Sequence, residues 1–354
     1  MRQHHRIGLA LGSGAARGWA HIGVIRTLEE AGIRPDIVAG ASIGAAVGAA
    51  YVAGKLDAYE TFARGLDRRQ VWSYFDLSFR GGLIKGRKVF DFVHSDIPDL
   101  AIEDLDRPFV AVATDIALGR EVWLRSGPLR ECLRASAAIP GIVTPVKIDG
   151  RWLIDGGVLN PVPVSVCRAL GATLVIAVDL NTQLAQRHFV DELQDRDRRG
   201  RSPAAAPAPP PPPAIDTAQP KSWQVAMRDM AAELQLWVRG DPSKPKSDQP
   251  PSMFEVMGAT LDIMAMRIAR SQLGGDPPDM LIAPRLPNFA MFDFHRAAEA
   301  IGEGRRATLH SLANAPAEFA PPPGARDLAF APPDLGPESA PLTLEGLSGE
   351  DSSG

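Results

Sequence analysis

The sequence has few of the features that mark secreted, membrane-spanning or metal-binding proteins. Only two of its 354 residues are cysteines, Cys132 and Cys167, and they form no disulfide or metal-ligand pattern. No window approaches 18 uninterrupted apolar residues, and the first apolar run, residues 7–11, is too short for a signal-peptide core. A net charge of −4 gives no general attraction to nucleic acid or anionic lipid. We therefore expect a cytoplasmic protein without nucleic acid, metal or cofactor, with peripheral contact at the inner membrane face left open.

Apolar runs, glycines and helical periods alternate along the first half of the chain. The hydrophobic fraction of 45% is enough for a substantial core. The order of elements, which is strand, glycine loop, helix, strand, turn and helix, predicts an α/β protein. We expect a three-layer α/β/α sandwich with a mostly parallel central sheet. The predicted strands are 7–11, 37–39, 109–114, 121–124, 146–148, 152–154, 174–178 and 280–282, and the predicted helices are 19–31, 43–53, 129–138, 162–170, 252–273 and 293–305.

Proline and charge interrupt this pattern after residue 182. Residues 183–222 include five consecutive prolines, and residues 241–251 are rich in proline and lysine, so both predict flexible insertions. Between them, residues 223–238 have helical spacing of apolar side chains, typical of a mobile lid or an interfacial helix. We expect one domain over residues 6–310 and a disordered tail over 314–354.

Ser42 stands between Gly40 and Gly44 in a Gly-x-Ser-x-Gly pattern that joins a strand to a helix of small residues. A sharp turn of this kind exposes a serine hydroxyl and requires small flanking residues. The N-terminus of the following helix favours a negative charge that develops beside the hydroxyl. The pattern predicts a nucleophile, and a serine that only caps a core helix is the alternative.

A second glycine-rich turn, residues 12–18, follows the first strand. Such turns bring backbone N–H groups close to a phosphate or an oxyanion. A dinucleotide site would need a third glycine where Arg17 stands, because Gly18 comes one position too late. An oxyanion hole fits better, since this loop and the Ser42 turn both end strands at the same edge of the sheet.

Asp155 ends a hairpin strand and precedes Gly156 and Gly157. The glycines remove side-chain bulk, so a second backbone or a substrate can approach closely. None of the histidines downstream of Ser42 has a comparable turn context. Asp155 is therefore the candidate base, with an ordinary turn as the alternative.

Together these stretches resemble the patatin-like phospholipase family, in order over residues 6–181 and more weakly to about 310. Residues 8–24 resemble its glycine-rich oxyanion loop and first helix, and Gly-Ala-Ser-Ile-Gly at 40–44 resembles its nucleophile elbow. Ala-Ser-Ala-Ala-Ile-Pro at 135–140 resembles its mid-domain segment, and Asp-Gly-Gly at 155–157 its aspartate motif. Three ordered motifs in matching context are far more specific than any one of them.

The resemblance implies a Ser–Asp dyad without histidine, in which Ser42 attacks an ester carbonyl and Asp155 accepts its proton. It also implies that the backbone N–H groups of Ser13, Gly14 and Ala15 hold the oxyanion. Arg17 is predicted to bind a lipid phosphate of the substrate or to order this loop. Many relatives have three successive glycines here, so a left-handed backbone at Ser13 or Ala15 would cost on the order of 1–2 kcal/mol.

The resulting expectation is a lipid acyl-ester hydrolase of the phospholipase A or lysophospholipase type that works through an acyl-enzyme. A general carboxylesterase or thioesterase shares the chemistry, and a non-catalytic lipid-binding regulatory or scaffold protein is the alternative of another class. Six of the nine methionines lie between Met227 and Met266. They suit either the core or an acyl-chain groove.

Overall fold

The computed structural model describes residues 5–73, 100–181, 253–286 and 289–319. Within these ranges, strands and helices follow one another in the order that the glycine-rich turns of the sequence predict. The strands are β1 Ile7–Leu11, β2 Ile37–Ala41, β3 Phe109–Asp115, β4 Arg120–Leu124, β5 Val146–Ile148, β6 Arg151–Asp155, β7 Leu174–Val178 and β8 Met280–Ile282. The α-helices are α1 Ala20–Glu30, α2 Ile43–Val52, α3 Leu56–Gly65, α4 Arg68–Ser73, α5 Leu129–Ser136, α6 Val164–Ala169, α7 Met253–Gly275 and α8 Ala297–Ala313.

One mixed sheet in the order β5-β6-β3-β2-β1-β7-β8 contains these strands, and β4 also pairs with β3. The run from β3 through β2, β1 and β7 to β8 is parallel, whereas β4 and β6 are antiparallel to β3. The carboxyl ends of the parallel strands therefore lie at one edge of the sheet, which is where ligands bind in open α/β sheets.

Two apolar clusters cover the two faces of the sheet. Alternate strand residues such as Leu9 and Val38 pack against α1, α2, α5 and α8. Their neighbours, such as Ala10 and Ala39, pack against α6 and against Ala269 of α7. The strands are buried on both faces, as their continuous apolar runs require. The three-layer α/β/α architecture with a mostly parallel sheet is confirmed.

Strands β2 and β6 meet end to end along the same edge of β3. Ala41, the last residue of β2, is paired with Val112, and Asp155, the last residue of β6, is paired with the next residue, Ala113. Because β4 occupies the other edge over this stretch, β2 and β6 share one edge and run toward each other. The chain segments that carry Ser42 and Asp155 therefore converge.

Helices α1 and α8 cross at contact distance because each has a glycine at the crossing. A Cβ atom on Gly23 would lie 2.0 Å from the Ile301 carbonyl oxygen, and one on Gly304 would lie 2.0 Å from the Ala20 carbonyl oxygen. No other residue type fits at these two positions. Helix α8, the last helix of the described chain, therefore packs directly against α1 on the same side of the sheet.

Most predicted elements are present within one to three residues, and the structure differs from the prediction at three places. The last helix begins at Ala297 and runs to Ala313, because residues 294–296 form a 3-10 turn in which Arg296 pairs with Asp293 and Glu299. Residues 314–319, predicted as part of a disordered tail, include a 3-10 helix and the buried side chain of Phe319. Helices α3 and α4 were not predicted. The predicted insertions at 183–222 and 241–251, the helix at 223–238 and residues 320–354 lie outside the described residues.

Candidate active site

Ser42 occupies a sharp turn between β2 and α2. Its backbone has φ 56° and ψ −124°, a combination that costs on the order of 1–3 kcal/mol for a residue with a side chain. A Cβ atom on Gly40 would lie 2.4 Å from the Ala45 nitrogen, and one on Gly44 would lie 2.2 Å from the Leu11 carbonyl oxygen. Both glycines are therefore required by close backbone approach, as predicted.

A buried serine on α5 holds the backbone of this turn. The Ser42 N–H donates to the Ser136 hydroxyl oxygen at 3.0 Å, and that hydroxyl donates to the Val112 carbonyl at 2.7 Å. Ser136 is fully buried. The strained residue is thus tied through one hydroxyl to β3, the strand along which β2 and β6 meet.

Asp155 lies beside Ser42, and the proximity of the Ser42 hydroxyl lowers the pKa of the Asp155 carboxyl. This carboxylate accepts from the Gly157 N–H at 2.7 Å. Burial in a site with little solvent raises the pKa of Asp155 to about 6, although the Ser42 hydroxyl and the Gly157 N–H oppose the shift. The fold thus brings together two side chains that are 155 − 42 = 113 positions apart in the sequence.

The two glycines after Asp155 are needed because other backbone and side-chain atoms lie against them. A Cβ atom on Gly156 would lie 2.1 Å from the Val112 carbonyl oxygen. One on Gly157 would lie 2.7 Å from the Ser13 Oγ. Gly157 is therefore the position where the aspartate turn and the glycine-rich loop touch.

The glycine-rich loop offers two free backbone donors rather than the three predicted. The Ser13 N–H donates to the Pro161 carbonyl at 2.8 Å and is already used. The N–H groups of Gly14 and Ala15 have no acceptor among the described residues. Ala15 has φ 49°, the left-handed conformation whose cost the sequence anticipates. The donor set is corrected to Gly14 and Ala15.

Arg17 is directed into the protein. Its side chain is 2% exposed and forms an ion pair with Asp262 of α7 at 2.7 Å. Its Nε donates to the Gly14 carbonyl at 3.2 Å. Because these acceptors are protein groups, the placement does not support the predicted contact with a substrate phosphate and favours the other predicted role, ordering of the loop.

No histidine takes part in the described hydrogen bonds of Ser42 and Asp155. His21 is fully buried, and its Nε2 lies 2.7 Å from the Gly12 carbonyl oxygen. Burial lowers the pKa of His21 to about 4, so the ring is neutral at pH 7 and its Nε2 must carry the hydrogen that the carbonyl accepts. His295 lies against Arg68 on the surface.

A cavity opens beside Asp155 and the glycine-rich loop, and helix α7 forms one of its walls. Met264 lines the cavity and is 48% exposed, whereas Met266, two residues on, is 7% exposed in the core. Met266 therefore belongs to the core, and Met264 faces the cavity. The apolar part of the lining consists of Ile139, Val158, Leu261, Met264, Ala265 and Met291.

Three groups that belong to the site were missed by sequence reasoning. Ser136 lies in a segment noted only for its resemblance. Asn181, which follows β7 and donates to the Ser13 carbonyl at 3.0 Å, had only its place at the sheet edge as a signal. The Ile43 N–H, at the start of α2, has no acceptor among the described residues and lies where a nucleophile turn supplies an oxyanion donor.

Neither a metal cluster nor a membrane span is found in the part of the chain that the structure describes. Within residues 5–73, 100–181, 253–286 and 289–319, no group of three or more histidine, cysteine, aspartate or glutamate residues has metal-binding geometry. In the same ranges, no helix combines the length and the hydropathy that crossing a bilayer requires.

Comparison with known proteins agrees with the motifs. The family model for patatin-like phospholipase matches residues 9–168. An uncharacterized NTE family protein of Mycobacterium tuberculosis (strain ATCC 25618 / H37Rv) is 36% identical over 329 residues, which are 87% of this chain and 91% of that protein. Human patatin-like phospholipase domain-containing protein 6 is 35% identical over 189 residues, 50% of this chain but only 13% of that protein. With its motifs, its three-layer fold and a relative aligned over most of both chains, this protein belongs to the patatin-like phospholipase family.

Proposed function

We propose that this protein hydrolyses carboxylic esters of lipids, phospholipids or lysophospholipids, through a Ser42–Asp155 dyad. The single observation that carries the proposal is the placement of the Ser42 hydroxyl beside the buried Asp155 carboxyl, whose pKa is raised to about 6. A serine hydroxyl is a weak nucleophile unless a base accepts its proton. An aspartate with a pKa near 6 is a stronger base than an ordinary one and is still mostly ionised at pH 7.

The reaction has two halves that use the same groups. In the first, Ser42 Oγ bonds to the ester carbonyl carbon while Asp155 takes its proton, and the tetrahedral intermediate expels the alcohol, which receives that proton. In the second, Asp155 takes a proton from water as the water oxygen attacks the acyl-enzyme. The intermediate then releases the fatty acid and returns the hydrogen to Ser42 Oγ.

The negative oxygen of each tetrahedral intermediate is proposed to lie against the free N–H groups of Gly14 and Ala15, with Ile43 as a third donor. Fixed donors of this kind stabilise charge that develops in the transition state, and losing one typically lowers kcat by about 10²–10³. The lipid acyl chain is proposed to occupy the cavity lined by Met264 and its apolar neighbours. Exposed Val256 and Ile263 on the same helix support contact with a membrane or micelle surface during substrate capture.

The test is a hydrolysis panel with the native protein beside Ser42→Ala and Asp155→Asn. We expect fatty acid release from at least one lysophospholipid or phospholipid, covalent labelling of Ser42 by a fluorophosphonate, and loss of both with Ser42→Ala. Acyl-coenzyme A thioesters and short p-nitrophenyl esters in the panel separate the thioesterase and carboxylesterase alternatives. A native protein that binds lipid vesicles but neither labels nor releases fatty acid is the lipid-binding scaffold instead.

A further inference from the structure

Three successive carbonyl groups of the glycine-rich loop each accept a hydrogen bond from a buried side chain. In residues 12–14, the first carbonyl accepts from His21 Nε2 at 2.7 Å, the second from Asn181 Nδ2 at 3.0 Å and the third from Arg17 Nε at 3.2 Å. All three residues, His21, Asn181 and Arg17, are buried.

In a trans peptide unit, the carbonyl and the N–H of the next residue point in opposite directions. The Ser13 carbonyl that Asn181 holds shares its peptide unit with the Gly14 N–H. The Gly14 carbonyl, which accepts from both the Nε and the backbone N–H of Arg17, shares its unit with the Ala15 N–H. These are the two N–H groups that have no acceptor among the described residues, and the cavity beside Asp155 is lined by the same loop residues.

We propose that Asn181 and Arg17 are positioning residues for the oxyanion hole. Each side chain holds the carbonyl end of a peptide unit whose N–H end is one of the two donors. This inference rests on the proposed hydrolase function. Both residues also line the cavity beside Asp155, and the role proposed for each side chain is its hydrogen bond to the backbone of the loop. His21 anchors the preceding peptide unit, whose N–H is held by the Pro161 carbonyl.

The loop needs this support because its own sequence does not favour the required shape. Ala15 is held at φ 49°, which a residue with a side chain adopts at a cost of about 1–2 kcal/mol. Arg17 and Asn181 also contact each other, since Arg17 donates to Asn181 Oδ1 at 3.5 Å. The Arg17 ion pair with Asp262 fastens the same network to α7, the helix that lines the cavity.

The test compares steady-state kinetics of Asn181→Leu, Asn181→Asp and Arg17→Lys on a soluble p-nitrophenyl ester. Leucine and aspartate keep the shape of Asn181 but cannot donate to the Ser13 carbonyl, and lysine keeps the charge that pairs with Asp262 but lacks Nε. We expect kcat to fall about 10- to 100-fold, less than complete loss of a donor, with KM within about threefold. The matched control is Thr27→Val, which removes a buried hydroxyl bonded to the Gly23 carbonyl within α1, and its kcat should stay within about twofold.

The pH profile separates positioning from general damage. The Asp155 carboxyl does not contact Asn181 in the described hydrogen bonds, so the midpoint of the acid limb should remain near 6 in variants with reduced kcat. Folded variants with native kcat overturn the inference, and so does a shift of that midpoint together with the loss. If none of the three variants folds, the role is structural and the inference is wrong. A native protein that hydrolyses no ester contradicts the proposed function instead.

Discussion

The Asp155 carboxyl is buried, and the two groups that oppose the rise of its pKa, the Ser42 hydroxyl and the Gly157 N–H, are both neutral. Burial disfavours the charged form, which raises its pKa to about 6, and the donors Ser42 and Gly157 limit the rise. An ion pair would have lowered the pKa and weakened the base. The environment of this one residue therefore suits proton acceptance near neutral pH.

Activity should depend on the ionisation of Asp155. Because the base must be deprotonated to accept the Ser42 proton, we expect kcat/KM to be low at acid pH and to rise to a plateau with a midpoint near pH 6. The measurement is kcat/KM on a soluble ester between about pH 4.5 and 8, which reports the free enzyme. A profile that is flat down to the ordinary aspartate pKa of about 4 contradicts a buried base.

The strained backbone at Ser42 should be visible in stability. Glycine adopts φ 56° and ψ −124° without steric cost, whereas alanine keeps the Cβ atom and the strain. We expect Ser42→Gly to exceed Ser42→Ala in free energy of unfolding by about 1 kcal/mol, since relief of strain outweighs the 0.4–1 kcal/mol that glycine loses through the unfolded chain. Urea unfolding of the two variants measures the difference, and both should be inactive. Equal stability would mean that the turn is not strained.

Secondary-structure elements were predictable where periodicity and glycine coincide. The hairpin of β5 and β6 follows from Asp149-Gly150, and both residues have the positive φ that a two-residue turn of this type requires. The approach of α8 to α1 could not be predicted, because a glycine within a helix gives no sign of which helix lies against it.

The glycine crossing of α1 and α8 predicts opposite effects for two alanine substitutions on one helix. Gly304→Ala places a Cβ 2.0 Å from the Ala20 carbonyl oxygen, and the required shift should lower the free energy of unfolding by about 1–3 kcal/mol. Gly302→Ala, with no atom nearer than 3.9 Å, should raise it by up to about 1 kcal/mol because alanine favours the helix. Chemical denaturation of both variants is the measurement. A stabilised Gly304→Ala would show that the helices do not cross this closely.

In the whole molecule, the motif residues were predictable from sequence and their supporting partners were not. Ser42 and Asp155 are marked by flanking glycines, so their convergence was expected. Ser136 lies on α5, His21 on α1 and Asn181 after β7, and each forms a hydrogen bond with the backbone of another segment. No local pattern distinguishes such a residue from any other buried polar side chain.

The two cysteines lie on opposite sides of the sheet, so the reactivity of each thiol can follow the unfolding of one side. Cys132 packs in the cluster that includes α1 and α5, and Cys167 packs in the cluster that includes α6. Burial raises the pKa of both thiols to about 12. We expect a thiol reagent to label neither cysteine in the native protein and to label both at one denaturant midpoint, as in a single cooperative unit. Cys132→Ala and Cys167→Ala assign the two signals. Separate midpoints would show that the layers unfold independently.

The junction at which β2 and β6 abut has a consequence for how this protein can diverge. Ala41 and Asp155 are opposite consecutive residues of β3, Val112 and Ala113, so a one-residue insertion between those two would draw the strand ends apart by about 3.4 Å. The spacing along β3 between these two pairings must therefore stay constant if the ends of β2 and β6 are to keep their separation.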